Sequence, residues 1–298
     1  RNAKLFLRDK ATFFFSLLSS LILILLYFLF IANIYIDGIT ANTPFDEKAA
    51  GFMVYLQMMI GVLILNSMSL SLGMFSSAAN DYVSKKLHSF MTTPIKKTEL
   101  LISYYIGGLI VSFLINLFTW VITVVIIGAA TTYWIKAATF FSVVGVLAVA
   151  SLISSSIMML LTAIVKSPTA LGVINGVAGT FLGFLCGIYM PYNTLGDGVK
   201  AVGSLIPFTH LTVWGKKIVL EDAFNQIGIS GPIKEALMND QFTASGVGFL
   251  TLDAPLWVML LVSGIVGLIC LTVAGFLFFT KRFGQNGLHK IKKSDKQP

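Results

Sequence analysis

Residues Leu100 to Ala130 read LLISYYIGGLIVSFLINLFTWVITVVIIGAA, with no Asp, Glu, Lys or Arg among them. A helix of about 20 apolar residues is enough to cross the hydrocarbon core of a bilayer. The run is continuously apolar rather than alternating, and it is far longer than the roughly 10 residues of a membrane barrel strand. It therefore predicts a transmembrane α-helix.

The same pattern recurs along the chain. Hydrophobic residues make up 56% of the 298 residues and charged residues 11%, with a mean hydropathy of +0.86, whereas about 25% of a typical soluble protein is charged. We predict an all-α integral membrane protein with a single transmembrane domain over residues 1–298. Its six predicted spans are approximately 11–36, 49–79, 100–130, 137–165, 169–190 and 255–280.

The distribution of charge predicts the orientation. With the N-terminus inside, the inner segments hold 15 of the 21 Lys and Arg and 4 of the 13 Asp and Glu, so the net charge is +11 inside and −3 outside. Basic loops stay on the cytoplasmic side of a membrane. We therefore expect a multi-pass protein of the plasma (inner) membrane with both termini cytoplasmic. The formal net charge of +8 then reflects topology and anionic lipid and gives no reason to expect nucleic acid as a partner.

Two cytoplasmic segments are amphipathic. In residues 1–10, Arg1, Lys4 and Arg8 are spaced as on one face of a helix, which favours an interfacial helix over a simple basic flank. In residues 81–92, Leu87, Phe90 and Met91 share a helical face that ends before Pro94. The second segment can be either a docking surface or a solvated connector.

The spans contain small and polar residues with a structural meaning. Four-residue spacing of small residues allows close helix packing in lipid, either within one subunit or between two. The fifth span carries such glycines: Gly172, Gly176, Gly179, Gly183 and Gly187. Amides inside a span need partners, and Asn66, Asn116 and Asn175 are more often interhelical hydrogen-bonding residues than ligand contacts.

The connections between spans also carry predictions. The short links near residues 131–136 and 166–168 predict adjacent antiparallel packing of spans three and four, and of spans four and five. Residues 37–48 are expected to form the first outer loop. The apolar segment 191–254 is expected to break into two short helices at Pro207, either as a re-entrant hairpin or as a pair lying on the surface. Its part from Asp222 to Asp253 is expected to be an exposed extension.

No catalytic chemistry is evident in the sequence. There is no Walker A motif and no nucleophile elbow. The three histidines and the two cysteines form no metal-binding cluster, and no span has a charged residue in its middle. We expect no cofactor or metal in this chain and no enzymatic activity, so that any energy for uphill transport is supplied by another protein.

Three patterns in order along the chain resemble the permease subunit of type-2 ABC exporters. They are Arg8-Asp9-Lys10 before the first span, Lys86 to Ile95 followed by Glu99-Leu100-Leu101, and Gly187 to Pro191 followed by Ile206-Pro207-Phe208-Thr209. The resemblance implies a homo- or heterodimer of permease subunits, each bound to a cytoplasmic ABC ATPase that holds ATP-Mg. It implies export, and the absence of charged residues within the spans favours an amphipathic cargo, such as a drug, an antibiotic, a peptide or a lipid-like molecule, over a small ion.

The resemblance also implies roles for particular residues. Those expected to couple to the ATPase are Lys85, Lys86, Leu87, His88, Phe90, Met91 and Pro94. Those expected along the substrate path are Asn66, Asn175, Phe181 and Phe184. Those expected at the outer gate are Tyr189, Pro207 and Phe208. Two alternatives remain open at this point, an exporter of a lipid-linked polysaccharide and, from another class, a passive channel.

Overall fold

The computed structural model describes residues 22–42 apart from 23 and 26, and residues 45–83, 97–165, 167–189, 195–237 and 256–277. All regular elements in these ranges are helical. A π-helical turn, Tyr27–Ile31, leads into the first α-helix. The α-helices are α1 (Ala32–Asn42), α2 (Glu47–Val83), α3 (Lys97–Thr131), α4 (Ala137–Ile164), α5 (Pro168–Leu185), α6 (Asp197–Ser204), α7 (Pro207–Ile227), α8 (Pro232–Leu237) and α9 (Leu256–Leu277).

Five of these helices, namely α2, α3, α4, α5 and α9, are long and apolar enough to cross a membrane. They correspond to predicted spans two to six, and the prediction of an all-α membrane protein is confirmed. Half of the first predicted span, namely residues 11–21, 23 and 26, lies outside the described residues. So do the predicted interfacial helix at residues 1–10 and residues 84–96 of the cytoplasmic segment, and these remain predictions.

The connection between the first two predicted spans is shorter than the sequence suggested. Helix α1 continues to Asn42 and α2 begins at Glu47, so most of the predicted loop 37–48 is helical. Ile36 and Ile39 are buried on the face of α1 that packs against α2. The Thr40 hydroxyl donates to the Ile36 carbonyl at 3.0 Å. These contacts extend the helix past Asp37, where the apolar run ends.

Helix α2 is the centre of the bundle, because it packs against α1, α3, α4, α5 and α7. Neighbours on most sides bury the greater part of its circumference, and in lipid such packing is driven by van der Waals contact. Its largest fully buried side chains are Phe52, Met53, Leu56, Met59, Ile60, Leu63, Ile64 and Phe75.

Helix α5 does not pack beside α4, although residues 165–167 are the only link between the two helices. It packs chiefly against α2 and the short α6, so the prediction that spans four and five lie side by side is wrong. The reason is that α2, α3, α7 and α9 already cover α4. The prediction for spans three and four is confirmed by the packing of α3 on α4.

The predicted helix break at Pro207 is confirmed: α6 ends at Ser204 and α7 begins at Pro207. Where this pair lies relative to the membrane remains a prediction. Helix α7 extends to Ile227, and Asp222 is buried, contrary to the expectation of an exposed extension from that residue onward. The Asp222 carboxylate accepts a 3.0 Å hydrogen bond from the Lys136 main-chain N–H and lies 3.6 Å from the Lys136 ammonium. This pairing compensates for burial of the carboxylate and fixes α7 to the α3–α4 turn.

Candidate functional site: the junction of α2, α5 and α7

A polar network lies inside the bundle between α2 and α3. Asn66 Nδ2 donates to Asn116 Oδ1 at 3.0 Å, and Asn116 Nδ2 donates to Ser67 Oγ at 2.6 Å. Both amides therefore hold neighbouring helices together, which is the more common role for such residues in spans. The network favours an interhelical role for Asn66 over its predicted place on the substrate path.

Helix α5 is the least enclosed of the candidate spans. Only Leu171 and Gly183 are buried among its residues. Phe181 and Phe184 are 65% and 48% exposed, so the two predicted substrate-path aromatics lie on its open surface. Asn175 Nδ2 donates to Ser69 Oγ of α2 at 3.3 Å, while Asn175 Oδ1 has no hydrogen-bond partner.

The predicted packing glycines of α5 fall into two groups. A methyl group placed on Gly172, Gly176 or Gly179 would meet no atom within 4 Å, so these three glycines form no close contact within the subunit. By contrast, a methyl group on Gly183 would collide with the ring of Tyr189.

Gly187 is not part of a packing ladder, because α5 ends at Leu185. Its φ of +65° is a left-handed conformation that glycine adopts readily. This geometry turns the chain so that the N–H groups of Ile188 and Tyr189 both bond to the Gly183 carbonyl, at 3.1 and 3.0 Å. The Tyr189 ring also lies edge-on to Phe184, with ring centroids 5.3 Å apart.

This turn meets α2 and α7 at a single junction, formed by residues 60–61, 187–188 and 215–216. A methyl group on Gly61 would lie 2.8 Å from Ile188 Cγ2, so the turn packs directly on the α2 backbone. A methyl group on Gly215 would lie 2.5 Å from Ile60 Cγ2, so α2 packs directly on the α7 backbone.

The third contact of the junction is polar. Lys216 Nζ donates to the Gly187 carbonyl at 2.6 Å, so α7 is bonded to the turn. Each of the three segments thus contributes one glycine and one large side chain, and each large side chain contacts the glycine of another segment. The contacts form a closed cycle from α2 to α7, from α7 to the turn, and from the turn back to α2.

The electrostatics of the junction are unusual for its burial. Lys216 is 6% exposed, and among the described residues no carboxylate lies within 4 Å of its ammonium. Burial lowers the pKa of Lys216 to about 8. Burial raises the pKa of the Cys186 thiol to about 12, and the nearby Lys216 charge partly opposes that rise. Burial also lowers the pKa of His210, whose Nε2 lies 2.7 Å from the Ser204 carbonyl oxygen.

The predicted gate residues lie around this junction. Tyr189 follows the turn and rests on Gly183. Pro207 and Phe208 are buried at the start of α7, and Ser263 of α9 donates to the Pro207 carbonyl at 3.4 Å. The predicted ATPase-coupling residues Lys85, Lys86, Leu87, His88, Phe90, Met91 and Pro94 lie outside the described residues.

Lys216 and Asp222 were not predicted as site residues, although both are buried charged residues. One signal was available, because Lys216 and Asp222 lie in a segment rich in apolar residues that was otherwise treated as a loop. A charged residue in such a helix calls for a partner. The partners themselves, a main-chain carbonyl and a turn about 86 residues away, could not be read from residue types.

The five long apolar helices point to a multi-pass membrane protein. Comparison with protein-family models matches residues 1–216 to the ABC-2 type transporter model, which covers most of the chain, and the protein belongs to that family. It is thus a permease subunit of an ABC transporter, a class that generally does not itself catalyse ATP hydrolysis and works with ABC ATPase subunits. Comparison with curated proteins gives no match.

Proposed function

We propose that this permease is an exporter subunit that dimerises in the plasma membrane, with both termini cytoplasmic, and transports an amphipathic compound. Each subunit binds a separate cytoplasmic ATPase, which holds ATP-Mg and performs the hydrolysis. The observation that carries the proposal is the family match over residues 1–216 together with five apolar helices able to cross a bilayer.

The chemistry of the spans supports an amphipathic cargo. The polar side chains buried in α2, α3 and α4 are amides and hydroxyls, such as those of Asn116, Ser71 and Ser155. A path for small ions uses charged rings or ordered carbonyls, and transport coupled to protons uses buried acids or bases. Neutral polar groups and exposed aromatics suit a drug, an antibiotic, a peptide or a lipid-like molecule.

The open surface of α5 supports a second subunit. Gly172, Gly176 and Gly179 touch nothing within the subunit, and Phe181 beside them is 65% exposed. Small residues at this spacing allow a second helix to approach closely. In this arrangement Asn175, Phe181 and Phe184 face the path between subunits, and Tyr189, Pro207 and Phe208 form the outer gate.

Coupling is assigned to the amphipathic cytoplasmic segment. Its apolar face, Leu87, Phe90 and Met91, docks on the ATPase, with Lys85, Lys86 and His88 around it and Pro94 ending the helix. An ATPase whose contact with this face differs between its nucleotide states shifts the permease between its own states.

The test is to purify the tagged chain from its native membrane in mild detergent and identify what accompanies it. A P-loop ATPase is expected in the complex, with ATP hydrolysis by the complex and none by the chain alone. A complex without such an ATPase would refute the proposal. Conductance by the chain alone in planar bilayers would instead support the passive channel, and stimulation of hydrolysis only by a lipid-linked glycan would support polysaccharide export.

A further inference from the structure

We propose that Lys216 is the positioning residue that holds the outer end of the pathway closed, through its bond to the Gly187 carbonyl. This inference rests on the proposed function, because it assigns the closing contact to the gate of that exporter. It names a residue that the family resemblance did not supply.

Two of the three contacts in the closed cycle at the junction are apolar. Ile60 lies on Gly215 and Ile188 lies on Gly61, and both are contacts between an apolar side chain and bare backbone. Such contacts have no hydrogen bond to fix a direction, so the surfaces can slide or separate. The Lys216–Gly187 bond is the one directional contact of the cycle.

The hydrogen bond from Lys216 to the Gly187 carbonyl is suited to repeated breaking. Lys216 has no carboxylate partner in the described part of the chain. Breaking the Lys216–Gly187 bond therefore leaves no buried counter-ion unpaired. A buried ammonium with a single carbonyl acceptor gains hydration as it leaves the site. The gain in hydration free energy offsets part of the free energy of the lost hydrogen bond. The bond therefore stabilises the closed state and can still break during transport.

The bond also connects two parts of the bundle that differ in how far they are enclosed. Gly187 lies two residues after the end of α5, the helix whose surface is open, whereas α7 is buried against α2, α4 and α9. The bond thus joins the least enclosed span to one of the most enclosed helices. Movement of α5 relative to the bundle must either break this bond or carry α7 with it.

A native cysteine next to the turn can report whether the junction opens. Cys186 is 1% exposed and adjoins Gly187, and the other cysteine, Cys270, is removed by Cys270→Ala. The C270A protein is placed in nanodiscs, and its labelling by a membrane-impermeant maleimide is timed at neutral pH. We expect slow labelling of C270A. Labelling of C270A/K216M should be faster by about tenfold or more, the ratio expected when one buried hydrogen bond from a charged donor is lost.

Charge alone cannot produce that result. The Lys216 ammonium favours the Cys186 thiolate, so its removal makes the thiolate scarcer and slows the reaction. Faster labelling of C270A/K216M must therefore come from exposure. The matched control is K217M, because Lys217 is the neighbouring lysine and only half-buried; it should label as slowly as C270A. Equal rates for K216M and C270A, with both proteins monodisperse, would overturn the proposal.

A second variant keeps the lysine. Gly215→Ala forces Ile60 and α7 apart at the junction and should also speed labelling of Cys186. Gly264→Ala in α9, where a methyl group meets nothing within 4 Å, should not. A G215A protein that labels no faster than C270A would contradict the closed cycle.

The final arm uses the complex with the ATPase that accompanies the chain. Turnover of ATP should accelerate Cys186 labelling in C270A and have a much smaller effect in C270A/K216M, whose turn is already released. Loss of thermal stability alone does not produce such a nucleotide-dependent difference. Labelling of C270A that is unchanged by turnover would overturn the gating role, whereas a complex without ATP hydrolysis would refute the proposed function and leave the comparison of K216M with K217M standing.

Discussion

At the scale of single residues, the buried amides are what give the apolar bundle a defined register. Leu and Ile side chains pack in many ways against a neighbouring helix in lipid, whereas an amide bonded to an amide fits only one alignment. Asn116 is fully buried and bonded to both Asn66 and Ser67. Removing it breaks both hydrogen bonds, which leaves the half-buried Asn66 amide without this acceptor and the buried Ser67 hydroxyl without this donor.

We expect Asn116→Leu to destabilise the folded permease by about 1–2 kcal/mol, since two interhelical hydrogen bonds are lost and the buried Ser67 hydroxyl loses its donor. The measurement is reversible unfolding in mixed micelles. Asn225→Leu, at an exposed site on α7, is the control and should change stability little. Equal stability of N116L and the parent protein would show that the amide network contributes nothing.

The second prediction concerns pH. Burial lowers the pKa of Lys216 to about 8 in the folded protein, from 10.5 when exposed. Between these values the unfolded state binds more protons, so stability rises as pH increases from 8 to 10.5 and is lost as pH falls through 8. The free energy of unfolding of the parent protein should therefore rise by about 3 kcal/mol relative to that of K216M as the pH increases over that window. A difference independent of pH would show that Lys216 is hydrated in the folded state.

At the scale of elements, α5 divides into an open part and a fixed end. The third prediction follows from this division. Gly176→Leu adds a side chain where the subunit offers open space, so it should leave the thermal stability of the monomer unchanged and weaken the dimer. Light scattering of the purified protein in detergent measures the dimer. Gly183→Ala instead displaces Tyr189 and should lower the melting temperature. A G176L protein that dimerises normally would exclude this face from the interface.

The cytoplasmic segment supplies the fourth prediction. Leu87→Asp combined with Phe90→Asp places two carboxylates on the apolar face proposed to dock on the ATPase, and burying unpaired charge there is unfavourable. We expect ATPase binding and transport to be lost while the protein still reaches the membrane. Ser89→Asp adds charge in the same segment on the opposite side of the predicted helix and serves as the control. Transport that survives the double substitution would exclude docking through this face.

At the scale of the whole molecule, long apolar runs were enough to predict the helices of spans two to six, because the length of a bilayer leaves few alternatives. Their neighbours were less predictable. A short link suggested that α4 and α5 pack together, yet α5 packs on α2 because other helices cover α4. The junction could not be predicted for the same reason: Gly61, Gly187 and Gly215 matter only when three distant segments meet, and glycine in a sequence does not reveal its partner.

The packing of α5 on α2 also has a consequence for how the chain is made. Asn175 of α5 bonds to Ser69 of α2, which leaves the ribosome 106 residues earlier. At a synthesis rate of about 5–20 residues per second, about 5–20 s pass between the synthesis of α2 and that of this partner. During that interval lipid or an insertion factor must cover the Gly61 surface of α2. The central helix therefore enters the membrane well before the segments that complete its packing, so substitutions at Gly61 or Ile188 should impair biogenesis even where the finished protein tolerates them.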